Sequence, residues 1–177
     1  MMLSPDVVLP RLRGSFGREY HYAVETSTTQ LMLPEGAGHG AVALAEHQTE
    51  GRGRLGRMWV DEPAAGLSFS IVLTPPQPVR HWPELTLVAA EAVAGAIGAG
   101  ATIKEPNDVL LDGRKVAGIL AETGSDARVV LGIGVNVGST PWPDAGAAHA
   151  DRLDLLVEIL DRLERAYDAW AASLTAR

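Results

Sequence analysis

The chain has 177 residues, a net charge of −7, 46% hydrophobic and 21% charged residues, a balance that suits one globular domain rather than a disordered segment. With a pI of about 5.2 it lacks the basic footprint that a general nucleic-acid binder needs to neutralise phosphates. Without cysteine it can form no disulfide, thiolate metal site or cysteine nucleophile.

No apolar run approaches the ~18 residues of a membrane span, and the N-terminus lacks the basic and apolar regions of a signal peptide. A cytoplasmic protein without membrane or nucleic-acid partners is the expectation. The first 19 residues carry Pro5, Pro10, Gly14 and Gly17, which break periodicity and predict irregular structure. Tyr20 to Glu25 is aromatic and β-branched, a strand. Ser27-Thr-Thr-Gln30 has the form of a capping box, predicting a short helix that stops by Pro34. Ala41 to His47 reads as a buried strand that runs into a loop, and Gly66 to Thr74 as another strand. Trp82 to Gly98 predicts a helix packed through Leu85, Val88, Val93 and Ile97.

Ala101 to Lys104 is a short strand. Val109 to Leu111 and Lys115 to Glu122 flank Asp112-Gly113, a strong hairpin signal. Gly124-Ser-Asp126 supplies a turn before the strand Arg128 to Val137, and residues 138–150 form a loop. From Asp151 the apolar positions Leu153, Leu156, Leu160, Leu163, Tyr167 and Trp170 recur every three or four residues, an amphipathic helix. Hairpins with a few helices on one side imply an α+β domain.

The chemistry concentrates in Gly51 to Trp59, GRGRLGRMW, where three arginines alternate with three glycines. Arginine grips phosphate or carboxylate oxygens with a planar fork of donors, and glycine lets backbone approach a ligand. The stretch suits a mobile loop closing over an anion, with Trp59 as a stacking face; a basic, solvated surface loop is the plainer alternative. Ser27, Thr28 and Thr29 cluster hydroxyls at a strand-to-helix junction, for ligand contact or for helix capping. Gln48 precedes the loop, where it could bond a ligand amide or only solvent. Lys104-Glu-Pro-Asn-Asp108 gathers charges and an amide around a proline turn, and Asn107 and Asp108 serve a ligand or merely the turn. Lys115 opens a hairpin strand, a position often solvated. Asn136, polar in an apolar strand between glycines and valines, needs a partner that a ligand could supply.

Together GRGRLGRMW, KEPNDVLLDGRKVAGILAE and GIGVNV, in this order, resemble the catalytic domain of biotin–protein ligases (biotin–acetyl-CoA-carboxylase ligases), whose forms are GRGRxGRxW, KWPNDxxxxxxKxxGILxE and GxGxNV. The similarity runs from about Tyr20 to Val137. It implies a fold like that of class II aminoacyl-tRNA synthetases, a mixed, largely antiparallel sheet flanked by helices. It also implies two steps: biotin and ATP give biotinyl-5′-AMP, and a lysine of a biotin carboxyl carrier protein then displaces AMP. ATP, biotin and Mg²⁺ are the implied cofactors, and monomer and homodimer are both compatible with the sequence. A lipoate–protein ligase using the same adenylation logic, or a biotin-binding homologue with little turnover, is the alternative.

By matching position, the resemblance implies that Ser27, Thr28, Thr29 and Gln48 hold the biotin ring end. Arg52, Gly53 and Arg54 cover its carboxylate and the phosphate, and Lys115 contacts both. Asp108 organises nucleotide and Mg²⁺, while Trp59 stacks on adenine and Asn136 bonds it. Gly51, Lys104, Asn107 and Gly118 stand in the same motifs and complete the binding set; no residue is implied as a dedicated protein ligand for a metal. Lys115, Arg54 and Asp108 form the implied catalytic group. Glu105 departs from the family tryptophan and adds a negative charge near an anionic ligand. The expectation is one catalytic domain over residues 1–177, with no N-terminal helix-turn-helix and no small C-terminal β-barrel.

Overall fold

The computed structural model describes residues 1–124 and 126–175. Its strands are β1 (Tyr20–Thr26), β2 (Val42–Gln48), β3 (Leu67–Leu73), β4 (Ala101–Lys104), β5 (Asp108–Leu111), β6 (Arg114–Thr123) and β7 (Val129–Val135). They form one sheet in the order β1-β2-β3-β7-β6-β5-β4. Among the described residues only β1 and β2 pair as parallel strands; every other strand neighbour is antiparallel. The mixed, largely antiparallel sheet expected from the sequence is therefore present. The β5–β6 turn forms at Asp112 and Gly113, both at positive φ (50° and 79°), the backbone of a type I′ hairpin for which glycine at the second position is suited. Ser125, in the turn expected before β7, lies outside the described residues.

Helix α1 (Pro5–Val8) is followed by α2 (Glu84–Ile97) and α3 (Arg152–Thr175). Asp151 Oδ1 accepts the amides of Leu153 and Asp154 at 2.9 and 3.0 Å, the cap that starts α3. Among the described residues no helix is long and apolar enough to cross a membrane. Helices α2 and α3 pack together, and their apolar faces share one core with Leu67, Phe69, Ile71, Leu131 and Ile133 of β3 and β7. All six apolar positions read from the sequence of α3 are buried.

The first 19 residues are more ordered than their prolines and glycines suggest. Leu3, Val8, Leu12 and Phe16 are buried in the main core. The segment runs along α3 through Arg11–Asp154 (2.7 Å), Arg13–Glu158 (2.6 Å) and Ser15 Oγ–Glu164 (2.6 Å). Tertiary pairing with a helix far along the chain, invisible to local periodicity, supplies this order. A second tie is buried. Glu46 on β2, 3% exposed, accepts Leu3 N at 2.6 Å and Tyr22 Oη at 3.1 Å, and pairs with Arg152 at 2.7 Å. Burial, and then the bond to Glu46, pushes the Tyr22 hydroxyl up to about 12.

The capping box at Ser27 does not form. A single 3₁₀ turn, Thr29–Leu31, stands there without a side-chain cap. The Ser27 carbonyl instead accepts Glu50 N at 2.8 Å, continuing the β1–β2 pairing, and Gln30 turns toward β6 and β7.

Candidate functional site

The face of the sheet turned away from α2 and α3 is paved with small residues. Strand β3 alternates Leu67-Ser68-Phe69-Ser70 and β7 alternates Leu131-Gly132-Ile133-Gly134, so bulky side chains enter the core while serines and glycines face the other way. Register aligns them: Ser68 with Gly134 and Ser70 with Gly132, then Gly134 with Gly118 on β6. The result is a floor almost without side chains. A second, smaller apolar cluster of Leu33, Ala37, Ala41, Ala43, Val72 and Val130 lies beside it.

Over this floor sits a cavity of about 310 Å³, a size suited to a small organic ligand. Twelve of the fifteen residues singled out from the sequence line it: Thr28, Thr29, Gln48, Arg52, Gly53, Arg54, Trp59, Lys104, Asn107, Asp108, Lys115 and Gly118. Ser27, Gly51 and Asn136 do not. Ser27 is held by the strand pairing described above. Gly51 lies at the neck of the loop, where a Cβ would collide with the Trp59 carbonyl, and faces a more open hollow of about 690 Å³. Asn136 is buried behind the wall, and its Nδ2 donates to Gly146 O at 3.0 Å. The partner that a polar residue needs in an apolar strand is thus backbone of the loop 138–150, not a group in the cavity.

The roof is the arginine-rich loop. Gly53 N donates to Arg57 O at 2.8 Å and Trp59 N to Gly51 O at 2.9 Å, so the loop closes on itself as a small hairpin. Its tip, Leu55, is 88% exposed. Arg54 Nη1 donates to Asn107 Oδ1 at 3.2 Å, while Asn107 Nδ2 donates to Ile119 O at 3.1 Å. Arg52 lies 3.5 Å from Glu122. Beyond the loop, Asp61 fixes its outgoing end. Asp61 Oδ1 bonds His47 Nδ1 at 2.7 Å and Asp61 Oδ2 accepts Ser68 Oγ at 2.6 Å.

One end of the cavity is cationic. Lys115 Nζ lies 2.8 Å from Asp108 Oδ1 and 6.0 Å from the centroid of the Trp59 ring. The indole rests on the floor; a Cβ on Gly134 would overlap it, with Cζ2 and Nε1 both at 2.6 Å. The other end is polar and buried. Gln48 Oε1 accepts Thr29 N at 2.9 Å and Thr29 Oγ1 at 3.2 Å, and Thr29 Oγ1 shares a hydrogen with Ser70 Oγ at 2.7 Å. Thr28 Oγ1, Gln30 Oε1 and Trp59 Nε1, all in residues of the cavity wall, are buried without a partner. Buried polar atoms are nearly always bonded, so this wall is shaped for a group that completes it. Glu105 also lines the cavity but is exposed at its rim.

The sequence reading missed Gln30, Gly132 and Gly134 as wall residues and Asp61 as the anchor of the loop. The alternation of small and bulky residues in LSFS and LGIG was the available signal for the glycines. No local pattern marks Asp61, and the pattern around Gln30 reads as a helix cap rather than a wall residue. Among the described residues no group of three or more His, Cys, Asp or Glu side chains could hold a metal ion.

Comparison with known proteins agrees with this architecture. The family description "Biotin/lipoate A/B protein ligase family" matches residues 23–138. The biotin–[acetyl-CoA-carboxylase] ligase of Mycobacterium tuberculosis is 37% identical over 179 residues, covering 89% of this chain and 67% of that protein. The bifunctional ligase/repressor BirA of Bacillus subtilis is 33% identical over 171 residues, 84% of this chain. The chain spans about half the length of that relative, 53%. Among solved structures, the biotin protein ligase from Aquifex aeolicus in complex with biotin and ATP is similar at a TM-score of 0.74 and 30% identity, covering 88% of this chain and 72% of that one. A sheet of this order, a pocket beneath an arginine-glycine loop and a family match over the strands that build both lead to one conclusion: the chain belongs to the biotin/lipoate A/B protein ligase family.

Proposed function

We propose that the chain activates biotin with ATP and passes it to a lysine of a biotin carboxyl carrier domain. One observation carries the reading: a single cavity joins a cationic end, with Arg52, Arg54 and Lys115, to a buried end where Thr28 Oγ1 and Gln30 Oε1 lack partners. A ligand with a carboxylate at one end and a polar ring at the other matches both.

In the first step a biotin carboxylate oxygen attacks the α-phosphorus of ATP, the bond to the β-phosphate bridge breaks, and pyrophosphate leaves. Two anions must meet, so their repulsion has to be offset where the new bond forms. Lys115 and Arg54 supply the positive charge, and Asp108, paired with Lys115, holds that ammonium in place. Asn107 holds Arg54 toward the cavity. Trp59, flat on the floor beneath Lys115, gives the reacting end an apolar face that excludes water. In the second step a neutral lysine amine of the acceptor attacks the acyl carbon; AMP leaves with the former bond electrons, the amine loses a proton, and an amide remains. Until then the loop over the cavity keeps water from the mixed anhydride.

Mg²⁺ fits this wall only as an ion carried by the nucleotide. Mg²⁺ is commonly held by one or two carboxylates with substrate phosphates, and Asp108 is the carboxylate beside the cationic end. When bound, the ion screens phosphate charge and favours departure of pyrophosphate.

Incubation with ATP, Mg²⁺ and either biotin or lipoate, followed by mass spectrometry, tests the proposal. Biotinyl-AMP is the expected product, and addition of a carrier domain should yield its biotinylated form. Lipoyl-AMP alone, or tight biotin binding without an adenylate, would overturn it.

A further inference from the structure

We infer that Gln30 sets the ligand preference of this cavity by accepting a ring N–H with its side-chain carbonyl oxygen. The inference rests on the adenylation reading above and deepens it.

An account of donors and acceptors at the buried end leads to Gln30. Gln48 has committed its oxygen to Thr29, through the amide at 2.9 Å and the hydroxyl at 3.2 Å. It has only N–H donors left for a ligand. Thr29 is occupied as well, by Gln48 and Ser70. Thr29 therefore positions Gln48, and what remains in this wall to accept a hydrogen from a ligand is Thr28 Oγ1 and Gln30 Oε1, both buried and unpartnered.

The orientation of the Gln30 amide follows from its neighbours. Nε2 faces Leu120 O at 3.5 Å, a long bond to a group that can only accept. The nitrogen belongs on that side, and the oxygen is turned away from it. The amide can lie so close to β7 because residue 132 is glycine; a Cβ there would stand 2.8 Å from Nε2. Strands β6 and β7 thus hold an unpartnered acceptor in the cavity wall.

A cyclic urea presents one carbonyl and two N–H groups. The carbonyl suits the free Gln48 amide hydrogens, and the two N–H groups suit Thr28 and Gln30. A dithiolane ring presents no N–H and would leave Gln30 Oε1 unsatisfied. Sites built to hydrogen-bond a substrate group discriminate strongly against analogues that lack it, because the buried partner is then left unpaired. Gln30 thereby distinguishes the two acid classes that the family name joins.

The test is Gln30→Met, which keeps length and removes the acceptor, beside Gln30→Glu, which keeps an oxygen. The parent protein should form biotinyl-AMP and discriminate against biotin methylated on one ureido nitrogen. Gln30→Met should raise KM for biotin about tenfold or more, as expected for a buried donor left unpaired, with KM for ATP and the melting temperature unchanged. It should also narrow the preference for biotin over lipoate and over the N-methyl analogue. Gln30→Glu should stay closer to the parent than Gln30→Met. A parent-like KM for biotin in Gln30→Met overturns the inference, as does a joint rise of both KM values with a lower melting temperature, which marks a structural role. Gln30→Glu as weak as Gln30→Met overturns it too, since an acceptor would then not be what matters. A parent that makes no biotinyl-AMP overturns the adenylation reading itself, so the two failures are distinct.

Discussion

Gly134→Ala puts a methyl group on the floor of the cavity where the Trp59 indole now rests. Gly134 is in the middle of a register-matched strand pair and not at a positive φ, so alanine costs the backbone nothing and even lowers the entropy lost on folding. The whole penalty is steric. The new Cβ would be 2.6 Å from both Cζ2 and Nε1 of Trp59, against an ordinary contact of about 3.5–4.0 Å. Cε2 lies closer still, so relief requires the indole to rise by about 1–2 Å. If the loop resisted, overpacking would cost about 1–3 kcal/mol, roughly 2–12 °C in melting temperature for a chain of this size. The loop is held by Asp61 at its outgoing end, while its Leu55 tip is free, so Trp59 should yield and much of the penalty should move from stability to binding. The expected result is a folded variant with a melting temperature lowered by a few degrees, and biotin affinity and adenylation reduced at least tenfold. Calorimetric titration with biotin and a thermal melt on the same sample measure both parts. Parent-like affinity with a parent-like melt would refute the reasoning, because the methyl group would then have found room that the floor does not have.

Lys115→Ala should keep the fold, since Lys115 is 43% exposed and surface truncations usually change stability within about 0.5 kcal/mol; biotinyl-AMP formation should fall by orders of magnitude, and adenylate production at the parent rate would remove Lys115 from the reaction. Glu46→Gln should destabilise by about 3–5 kcal/mol, because it leaves the guanidinium of Arg152 uncompensated in a buried site; denaturant unfolding measures this, and Glu46→Leu combined with Arg152→Met should recover much of the loss. Hydrogen exchange of the amides from Gly51 to Arg57 should slow when biotin and ATP are added together, and equal protection with and without them would argue against closure of the loop. Stability should fall as the solution is acidified. Partial desolvation where the exposed His39 packs against Phe16 and Tyr167 pushes it below its ordinary 6.5 against the pull of Asp168 and Glu164, and its Nδ1 accepts Thr74 N at 3.1 Å. The unfolded chain binds that proton first, so this contribution is complete above pH 6.5 and is lost between 6.5 and the lower folded value. Bonds from Arg13 and Arg162 hold Glu158 below 4.5, adding a second loss of the same sign below pH 4.5. Melting temperatures from pH 4 to 8 test both, and His39→Gln should flatten the upper shoulder alone.

Local pattern made the strands, the hairpin turn and both long helices legible, because each writes its burial into a period of two or of three to four residues. LGIGV and LSFSI even encode which face of the sheet is empty, once the glycines and serines are read as a floor. The arginine loop was legible as a candidate anion-binding segment from its alternation of arginine and glycine, and Lys115 and Asp108 through the motifs in which they stand; all line one cavity. What failed to show depends on distant parts of the chain. Ser27 and Gln30 carry a cap signature, but β1–β2 pairing and the approach to Gly132 take both residues away from it. Asn136 looks available in sequence because Gly146, its partner, lies in a loop without any regular pattern. Glu46 sits in a run that reads as apolar strand, and Arg152, which makes its burial tolerable, is 106 residues away.

The N-terminal segment laid along α3 bears on how the protein is made. Arg11, Arg13 and Ser15 find partners 143, 145 and 149 residues later. A ribosome therefore releases all seven strands before the helix that both covers the back of the sheet and receives the first segment. During that interval α2 alone covers the core faces of β3 and β7, and Leu3, Val8, Leu12 and Phe16 lack the α3 residues that complete their burial, a state prone to association with other chains. Contacts of such sequence separation also slow the closing step itself, since the longest loop must be shut last. Yield in a cell should accordingly depend on temperature and chaperone supply more than the finished stability suggests. A nascent chain stalled before Arg152 should expose apolar surface even though every strand beneath the cavity has already been synthesised.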